Sequence, residues 1–293
     1  MSDISTLEAT EAHEAHEAHE APEAIDAIVE APAAFVDEYT DPARYDAEYG
    51  TAGADLPFYL GLAEPGARVL DVATGTGRVA IALAEAGHEV TAVDVNADML
   101  ALAATKADAL QLSEQLTWIE QDARDLKVRG RFSLAVVAGN ALQQFLGNAD
   151  RSALLKAVYR QLEAGGRLAF AVRFPHPAEL ARRVESPEIW HSYTDVSGSQ
   201  VVVSGTQRYD AASQVMTHET YRQYAVDGTP AAAPTTTSLR YALPQELVAA
   251  LGAARFEVEG MYVDFAGTPL TAETAASASA LVVVARKPAK AAK

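Results

Sequence analysis

Cysteine does not occur in the sequence. Its absence excludes disulfide bonds and cysteine-ligated metals, and it makes the reducing cytoplasm the expected location. No apolar run approaches the roughly 20 residues that a membrane-spanning helix needs, and the N-terminus has no basic region followed by an apolar stretch. We therefore expect a cytoplasmic protein without a membrane partner.

Basic residues are also scarce, with 23 Lys and Arg against 40 Asp and Glu. Nucleic-acid recognition depends on neutralising phosphates, so this balance disfavours a DNA or RNA partner and favours a small-molecule substrate. Eleven of the acids and none of the bases lie within residues 1–38. We predict that this segment is a disordered acidic tail and that residues 288–293 are a disordered basic tail. No metal is expected, because the repeated histidines of the acidic tail have no fixed scaffold.

One stretch has strong local organisation, Arg68-Val-Leu-Asp-Val-Ala-Thr-Gly-Thr-Gly-Arg78. Its first part is a short apolar run that ends at Asp71, and apolar residues recur with helical spacing after Gly77. This pattern predicts a strand, a tight turn and a helix. The glycines at 75 and 77 allow a ligand to approach closely, and the free N–H groups of the helix's first turn face the same crevice. The turn is therefore predicted to hold a nucleoside-bearing cofactor.

The identity of that cofactor depends on the residues around the turn, because its Gly-x-Gly-x-x-Ala spacing also satisfies a dinucleotide-binding fingerprint. Three successive strand-like runs end in acids, Asp71, Asp94 and Asp122. A carboxylate just before the turn would repel a pyrophosphate but suits an ammonium group. The other two acids suit ribose hydroxyls and an adenine amine. An NAD(P)-dependent oxidoreductase stays open as the alternative.

The order of these motifs resembles that of the class I S-adenosylmethionine (SAM)-dependent methyltransferases over residues 40–185 and 244–286. Asp71 to Gly77 is similar to the family's first motif, with Ala73 where a glycine is usual. Asp94 to Leu100 resembles the acidic strand-end motif, and Leu134 to Phe145 resembles the fourth-strand motif of glycine-, sarcosine- and sugar-amine-type N-methyltransferases. The resemblance implies that SAM is the cofactor. The binding residues that it implies are Asp71, Ala73, Gly75, Gly77, Asp94, Val95, Met99, Asp122, Ala123 and Asn140.

Alternating strand and helix patterns between residues 67 and 174 predict an α/β fold with a parallel sheet and ligands at the carboxyl ends of its strands. The resemblance extends this to a Rossmann-like class I methyltransferase fold with a seven-stranded, mostly parallel sheet. Residues 39–185 and 241–287 form the predicted SAM-binding domain. Between them, residues 186–240 alternate in polarity and predict an antiparallel β insert of about three strands. We expect the insert to cover the substrate side or to form the face of a homodimer.

Four residues are candidates for roles at the methyl acceptor: Tyr49 on an N-terminal helix, Gln144 after the fourth strand, and Arg173 and His176 at the end of the fifth. Transfer of an activated methyl group needs an aligned nucleophile and no covalent or metal catalyst. Gln144 cannot take a proton, so His176 is the nearest candidate base. The resemblance implies a lid role for the helix of Tyr49 and a carboxylate clamp for Arg173. The structural alternatives are core packing for Tyr49, a turn position for His176 and a salt bridge to the insert for Arg173.

The predicted activity is methyl transfer from SAM to a nitrogen or oxygen of a small metabolite, in the biosynthesis of a specialised metabolite. Methylation of carbon stays open. A protein of the same fold that binds SAM without transferring its methyl group is a further alternative.

Overall fold

The computed structural model describes residues 35–50 and 53–289. Its regular elements alternate between strands and helices over most of this length. In chain order they are β1 (Val36–Asp37), α1 (Pro42–Tyr49), α2 (Leu56–Leu62), β2 (Arg68–Val72), α3 (Arg78–Glu85), β3 (Glu89–Asp94), α4 (Ala97–Ala109), β4 (Leu116–Glu120), β5 (Phe132–Val137), α5 (Ala141–Gln144), α6 (Asn148–Gln161), β6 (Leu162–Arg173), α7 (Pro177–Ala181), β7 (Val184–Thr194), β8 (Gln200–Asp210), β9 (Val215–Tyr224), β10 (Thr235–Arg240), α8 (Pro244–Ala253), β11 (Glu257–Tyr262) and β12 (Ala280–Arg286). Short 3₁₀ turns occur at Ala123–Asp125 and Thr274–Ser277.

The larger sheet has seven strands in the order β11-β12-β6-β5-β2-β3-β4. The five strands from β6 to β4 are parallel to one another, and β12 pairs antiparallel with β6 and β11. This arrangement confirms the predicted Rossmann-like class I methyltransferase fold with its mostly parallel sheet. The parallel strands end at one edge, where the predicted site residues follow them.

Successive side chains of the central strand β2 pack into the hydrophobic cores on opposite faces of this sheet. Val69 packs with apolar residues of α3, whereas Leu70 and Val72 pack with apolar residues of α6 on the other side. All three side chains are fully buried. The carboxyl end of β2 is therefore fixed between two cores, and the loop that follows starts from a rigid position.

The second sheet is larger than the predicted insert, and its four long strands are antiparallel whereas the short β1 pairs parallel with β10. Its order is β1-β10-β9-β8-β7, so it contains four long strands instead of about three, and the first of them begins at Val184. Strand β7 was missing from the prediction because Pro187 and several charges interrupt its polarity pattern. Irregular pairing with β8 further breaks the two-residue alternation on which a strand prediction depends.

The N-terminal boundary also differs from the prediction. The acidic tail was expected to extend to residue 38, but Val36 and Asp37 pair with Thr235 and Thr236 of β10, and Glu38 is buried. This pairing joins segments that are 199 positions apart, so no local pattern indicates it. Residues 1–34 and 290–293, which hold the rest of the two predicted tails, lie outside the described residues.

Strand β6 begins at Leu162, and the Gly165-Gly166 pair lies within a bulged start of the strand. Within residues 35–50 and 53–289, every helix is too short or too polar to cross a lipid bilayer.

Candidate active site

The loop between β2 and α3 lines a cavity at the carboxyl edge of the large sheet. Gly75 and Gly77 have φ values of 55° and 81°, in the left-handed region that glycine favours. The N–H of Gly75 donates to Asp94 Oδ2 at 2.8 Å, which connects the loop to the end of β3. Ala73, where the resemblance expects a glycine, has a φ of 57°. The glycine motif therefore forms the tight turn that its sequence predicts.

Asp71 lies at the end of β2, with its side chain lining the cavity and only 1% of the residue exposed. Burial raises the pKa of Asp71 to about 7, although a hydrogen bond from Thr74 Oγ1 at 2.6 Å and the charge of Arg78 partly oppose the shift. Arg78 is itself held by two hydrogen bonds to Asp55, at 2.6 and 2.8 Å. A carboxylate of this kind is stabilised in its charged form by a nearby cation. The position therefore suits the ammonium group predicted for it.

The Asp94 carboxylate is oriented by two backbone donors. It accepts hydrogen bonds from the N–H groups of Gly75 at 2.8 Å and Asn96 at 2.9 Å. A carboxylate has about four lone-pair sites, so it can accept further bonds from two hydroxyls. Val95 and Met99, which were also predicted to contact the cofactor, line the same cavity.

The Asp122 carboxylate, predicted to accept from an adenine amine, already has a partner. Arg124 Nη2 lies 2.5 Å from Asp122 Oδ2, and the same guanidinium reaches Asp150 at 3.0 Å. An adenine amine would have to share the carboxylate with Arg124. Ala123 and Asn140 line the same cavity.

Helix α1 and the residues before it line the part of the cavity next to the glycine loop, where the Tyr45 ring lies beside Gly75. The rings of Tyr39, Tyr45 and Tyr49 lie in a row with centroid separations of 5.7 and 4.9 Å, and all three line the cavity. Gln144 Nε2 donates to the Tyr39 hydroxyl at 2.8 Å. Burial raises the pKa of Tyr39 and Tyr49, so both hydroxyls stay protonated at neutral pH. Two predicted catalytic residues, Tyr49 and Gln144, therefore share one cavity wall.

Asp46 connects α1 to the glycine loop. Its Oδ1 accepts hydrogen bonds from Thr76 Oγ1 and from Lys106 Nζ, each at 2.6 Å. Lys106 Nζ also donates to the Thr76 carbonyl at 3.1 Å. The helix is thereby fastened to the loop and to α4.

A buried ion network connects α1 to the antiparallel sheet. Arg222, whose side chain is fully buried, donates to Glu48 and to Glu38, each at 2.6 Å. Arg44 donates to Glu38 at 2.8 Å, and His191 Nε2 lies 3.0 Å from Glu48 Oε1. Burial alone would raise the pKa of Glu48, but hydrogen bonds from His191 and Arg222 outweigh it and lower that pKa to about 2. The Glu48 carboxylate is therefore charged, and both buried glutamates have arginine partners.

The cavity has a volume of about 1320 Å³, larger than the roughly 300–1,000 Å³ of a site for one small molecule. Its second part, here called the acceptor region, is lined by the end of β6, α7 and the antiparallel sheet. The acceptor region comprises Arg173, Glu179, Arg182, Glu188, Ile189, Trp190, His191, Gln207, His218, Thr220, Thr237 and Leu239. The sequence predicted strands for much of this segment but did not indicate which strand face meets the cavity, so all of these residues except Arg173 were missed.

Arg173 and His176, predicted together, lie in different surroundings. Arg173 lines the cavity, and its Nη2 donates to Glu179 of α7 at 2.7 Å instead of forming the predicted alternative, a salt bridge to the insert. His176 is exposed at the start of α7, where its Nδ1 accepts from the N–H of Ala178 at 3.2 Å. It is not among the described residues that line the cavity. The structure thus brings Tyr49, Gln144 and Arg173 together without His176.

The residues at the strand ends fit SAM. Asp71 offers a buried carboxylate for a cation, Asp94 offers oriented lone pairs for hydroxyls, and Gly75 leaves the loop backbone open to a ligand. No group of three or more His, Cys, Asp or Glu within the described part of the chain is arranged to hold a metal ion.

Comparison with known proteins supports this fit. A family model described as "Methyltransferase domain" matches residues 69–166. A putative methyltransferase, YqeM, of Bacillus subtilis (strain 168) is 31% identical over 175 residues, which cover 57% of this chain and 67% of that protein. The cypemycin N-terminal methyltransferase of a Streptomyces species is 30% identical over 237 residues, covering 80% of this chain and 90% of that protein.

Among solved structures, the CcbJ methyltransferase from Streptomyces caelestis has a similar fold, with a TM-score of 0.67 and 24% identity. The similarity covers 86% of this chain and 100% of that chain. The strand order, the glycine loop and these relatives agree, and the chain belongs to the class I SAM-dependent methyltransferases.

Proposed function

We propose that this methyltransferase transfers the methyl group of SAM to an amine nitrogen of a small metabolite. The observation that carries the proposal is the single cavity that joins the strand-end carboxylates to the acceptor region. Its volume of about 1320 Å³ has room for a cofactor and an acceptor together. Methyl transfer requires both molecules to be aligned in one enclosure that excludes water.

The cofactor would be held by the residues at the strand ends. Asp94 would accept hydrogen bonds from the ribose hydroxyls, and Asp71 would face the ammonium group. Val95 and Met99 offer apolar surface for the adenine ring. The bound cofactor supplies a methyl group that its sulfonium has already activated, so the chain's own task is to orient the acceptor and keep water out.

The charges of the acceptor region favour an acceptor without a carboxylate. Among the described residues, the two arginines that line this region both lie in ion pairs. Arg173 pairs with Glu179 at 2.7 Å, and Arg182 pairs with Glu188 at 2.5 Å. A substrate carboxylate would have to displace Glu179 before it could bind Arg173. This proposal therefore differs from the carboxylate clamp that the resemblance implied.

Two observations favour nitrogen over oxygen. The buried Tyr49 hydroxyl stays protonated, so it can orient an acceptor but does not act as a base toward a hydroxyl. In addition, the relative matched over 90% of its length is by name an N-terminal methyltransferase, and an N-terminus is an amine.

The biological setting is inferred from the composition of the chain. The shortage of basic residues supports a small-molecule partner, and the predicted setting is specialised-metabolite biosynthesis in the cytoplasm. The homodimer, the cytoplasmic location and the absence of a nucleic-acid partner stay predictions.

The test is incubation of the full chain with methyl-labelled SAM and a panel of amines, phenols and carboxylic acids of matched size. We expect label in the amines, and competition by S-adenosylhomocysteine. Label only in phenols would overturn the nitrogen assignment. Calorimetric titration with SAM and with NADH checks the cofactor, and binding of NADH without SAM would overturn the use of SAM.

A further inference from the structure

His218, on β9, lies in the wall of the acceptor region and has no hydrogen-bond partner among the described residues. The residue is 9% exposed, and its Nε2 is enclosed without a partner. Buried polar atoms in folded proteins nearly always have a partner, because an unpaired one costs its full desolvation. Gln207 and Thr237, the partners of His218 on β8 and β10, also line the cavity, so the His218 side chain lies on the sheet face that meets it. A molecule bound there can supply the missing bond.

The His218 ring is neutral at physiological pH. Burial and, to a lesser extent, the positive charge of Arg173 lower the pKa of His218 to about 4. Arg173 is kept in place by its ion pair with Glu179. A neutral imidazole has one N–H donor and one bare nitrogen that accepts. The ring can therefore accept a hydrogen bond from a donor on a bound molecule.

Trp190, on β7, forms the neighbouring part of the wall. Its ring lies perpendicular to that of His218, with an interplanar angle of 87° and centroids 5.8 Å apart. The indole crosses β8 at Gly205, where a Cβ would overlap the indole ring. Trp190 nevertheless keeps 36% of its surface exposed and lines the cavity. Because Gly205 has no side chain, the Trp190 ring can pack over β8 and lie beside the unpaired imidazole of His218.

We propose that His218 is a substrate-binding residue that accepts a hydrogen bond from an N–H of the acceptor amine, while Trp190 packs against the acceptor's carbon skeleton. This inference rests on the proposed methyl transfer to an amine. In this proposal, His218 orients the lone pair of the amine and does not act as a base. An imidazole that is protonated only well below neutral pH does not take a proton from an ammonium group. The ammonium form gives its proton to water before the amine binds.

The kinetic test uses the amine that wild type methylates fastest in the labelled-SAM assay. We expect His218→Phe to raise KM for that amine at least tenfold while the affinity for S-adenosylhomocysteine is unchanged, because only the acceptor loses a hydrogen bond. His218→Gln, whose amide oxygen can accept, should recover much of the loss. His88 is a matched control, since it is also buried with an unpartnered nitrogen but does not line the cavity, and His88→Gln should keep the wild-type KM. A wild-type KM in His218→Phe would overturn the proposal.

The protonation state of the ring is measured separately, by nitrogen-15 spectra of the full chain in complex with S-adenosylhomocysteine. The His218 signals are assigned by their loss in His218→Gln. We expect the ring to stay neutral down to about pH 5, below the usual histidine range. Titration near pH 6.5 would overturn the neutral acceptor even where amines are methylated. Absence of amine methylation with a neutral ring would instead contradict the proposed function and remove the substrate assigned to His218.

Discussion

The side-chain amide of Gln143 forms two hydrogen bonds with the main chain of Arg173, accepting from its N–H at 2.8 Å and donating to its carbonyl at 3.2 Å. Gln143 is 1% exposed, and the pair connects α5 to the end of β6. Gln143→Leu should lower the free energy of unfolding by about 1–3 kcal/mol, because it leaves main-chain groups unpaired. Chemical denaturation measures this, and Gln144→Leu, which loses one bond to a tyrosine hydroxyl, is the control. Equal stabilities of the two variants would contradict the role of the pair.

Asp94→Ala should weaken SAM binding at least about tenfold, since each hydrogen bond to a charged acceptor contributes about 1.5–3 kcal/mol. The variant also loses the acceptor for the Gly75 N–H, which orients the loop. Titration calorimetry gives the affinity, with circular dichroism to check folding. Asp98→Ala, an exposed acid four residues later, should bind SAM as wild type does. Wild-type affinity in a folded Asp94→Ala protein would remove Asp94 from the cofactor site.

SAM binding should strengthen as the pH rises from about 6 to 8. Burial raises the pKa of Asp71 to about 7, so the side chain is largely protonated below that pH and charged above it. A cationic ligand favours the charged carboxylate, and binding should therefore release a proton from Asp71. Calorimetry in two buffers with different ionisation enthalpies measures that release. In Asp71→Asn the release and the pH dependence should both be lost, and their persistence would assign them to another group.

Arg222→Met should destabilise the fold by about 3–5 kcal/mol, because it leaves Glu38 and Glu48 buried without their shared cation. The pKa of Glu48 is lowered to about 2 from an ordinary value of 4.5, so its stabilisation is complete above that ordinary value and is lost as the pH falls toward 2. The variant should lose less stability than wild type over this acidic range. Arg183→Met, which breaks an exposed pair with Glu185, should cost less than about 1 kcal/mol. Parallel denaturation curves against pH for Arg222→Met and wild type would contradict the linkage.

Gly77→Ala should destabilise the protein by about 1–3 kcal/mol more than Gly87→Ala. The two glycines have similar left-handed φ values, 81° and 87°, so both variants share a backbone cost of about 1–2 kcal/mol. A Cβ at Gly77 would lie 2.8 Å from the Trp118 ring and 2.9 Å from the Ala103 Cβ, whereas a Cβ at Gly87 has nothing within 4 Å. Thermal unfolding of both variants measures the difference. If they are equally stable, the ring of Trp118 moves aside without cost.

Local patterns in the sequence were sufficient for the core of the fold and for the cofactor side of the cavity. The strand, turn and helix around Gly75 depend on spacing within a few residues, and parallel topology then places Asp71 and Asp94 at one edge. The partner of Asp122 was missed although Arg124 lies two residues away, because a sequence does not show which polar group a carboxylate will face.

The acceptor region was less accessible to prediction because it depends on contacts between distant segments. His218 lies in a strand-like run that was predicted, but only the docking of that sheet determines which of its faces meets the cavity. Glu38 contacts a residue 184 positions later, so its burial has no local signal. His176 was favoured for its chemistry, and its position as a helix cap follows from the unpredicted helix α7.

The ion network that connects α1 to β9 and β10 also sets an order of folding events. Glu38 and Glu48 leave the ribosome well before Arg222. In the sequence, Glu38 is 184 positions and Glu48 is 174 positions away from Arg222. Contacts of such long sequence separation form late, since closing a long loop costs entropy before any contact is made. The cavity wall that contains Tyr49 is therefore completed only after the antiparallel strands have paired. Nascent chains that are truncated before β9 should lack an enclosed site, even when the parallel strands have already formed their sheet.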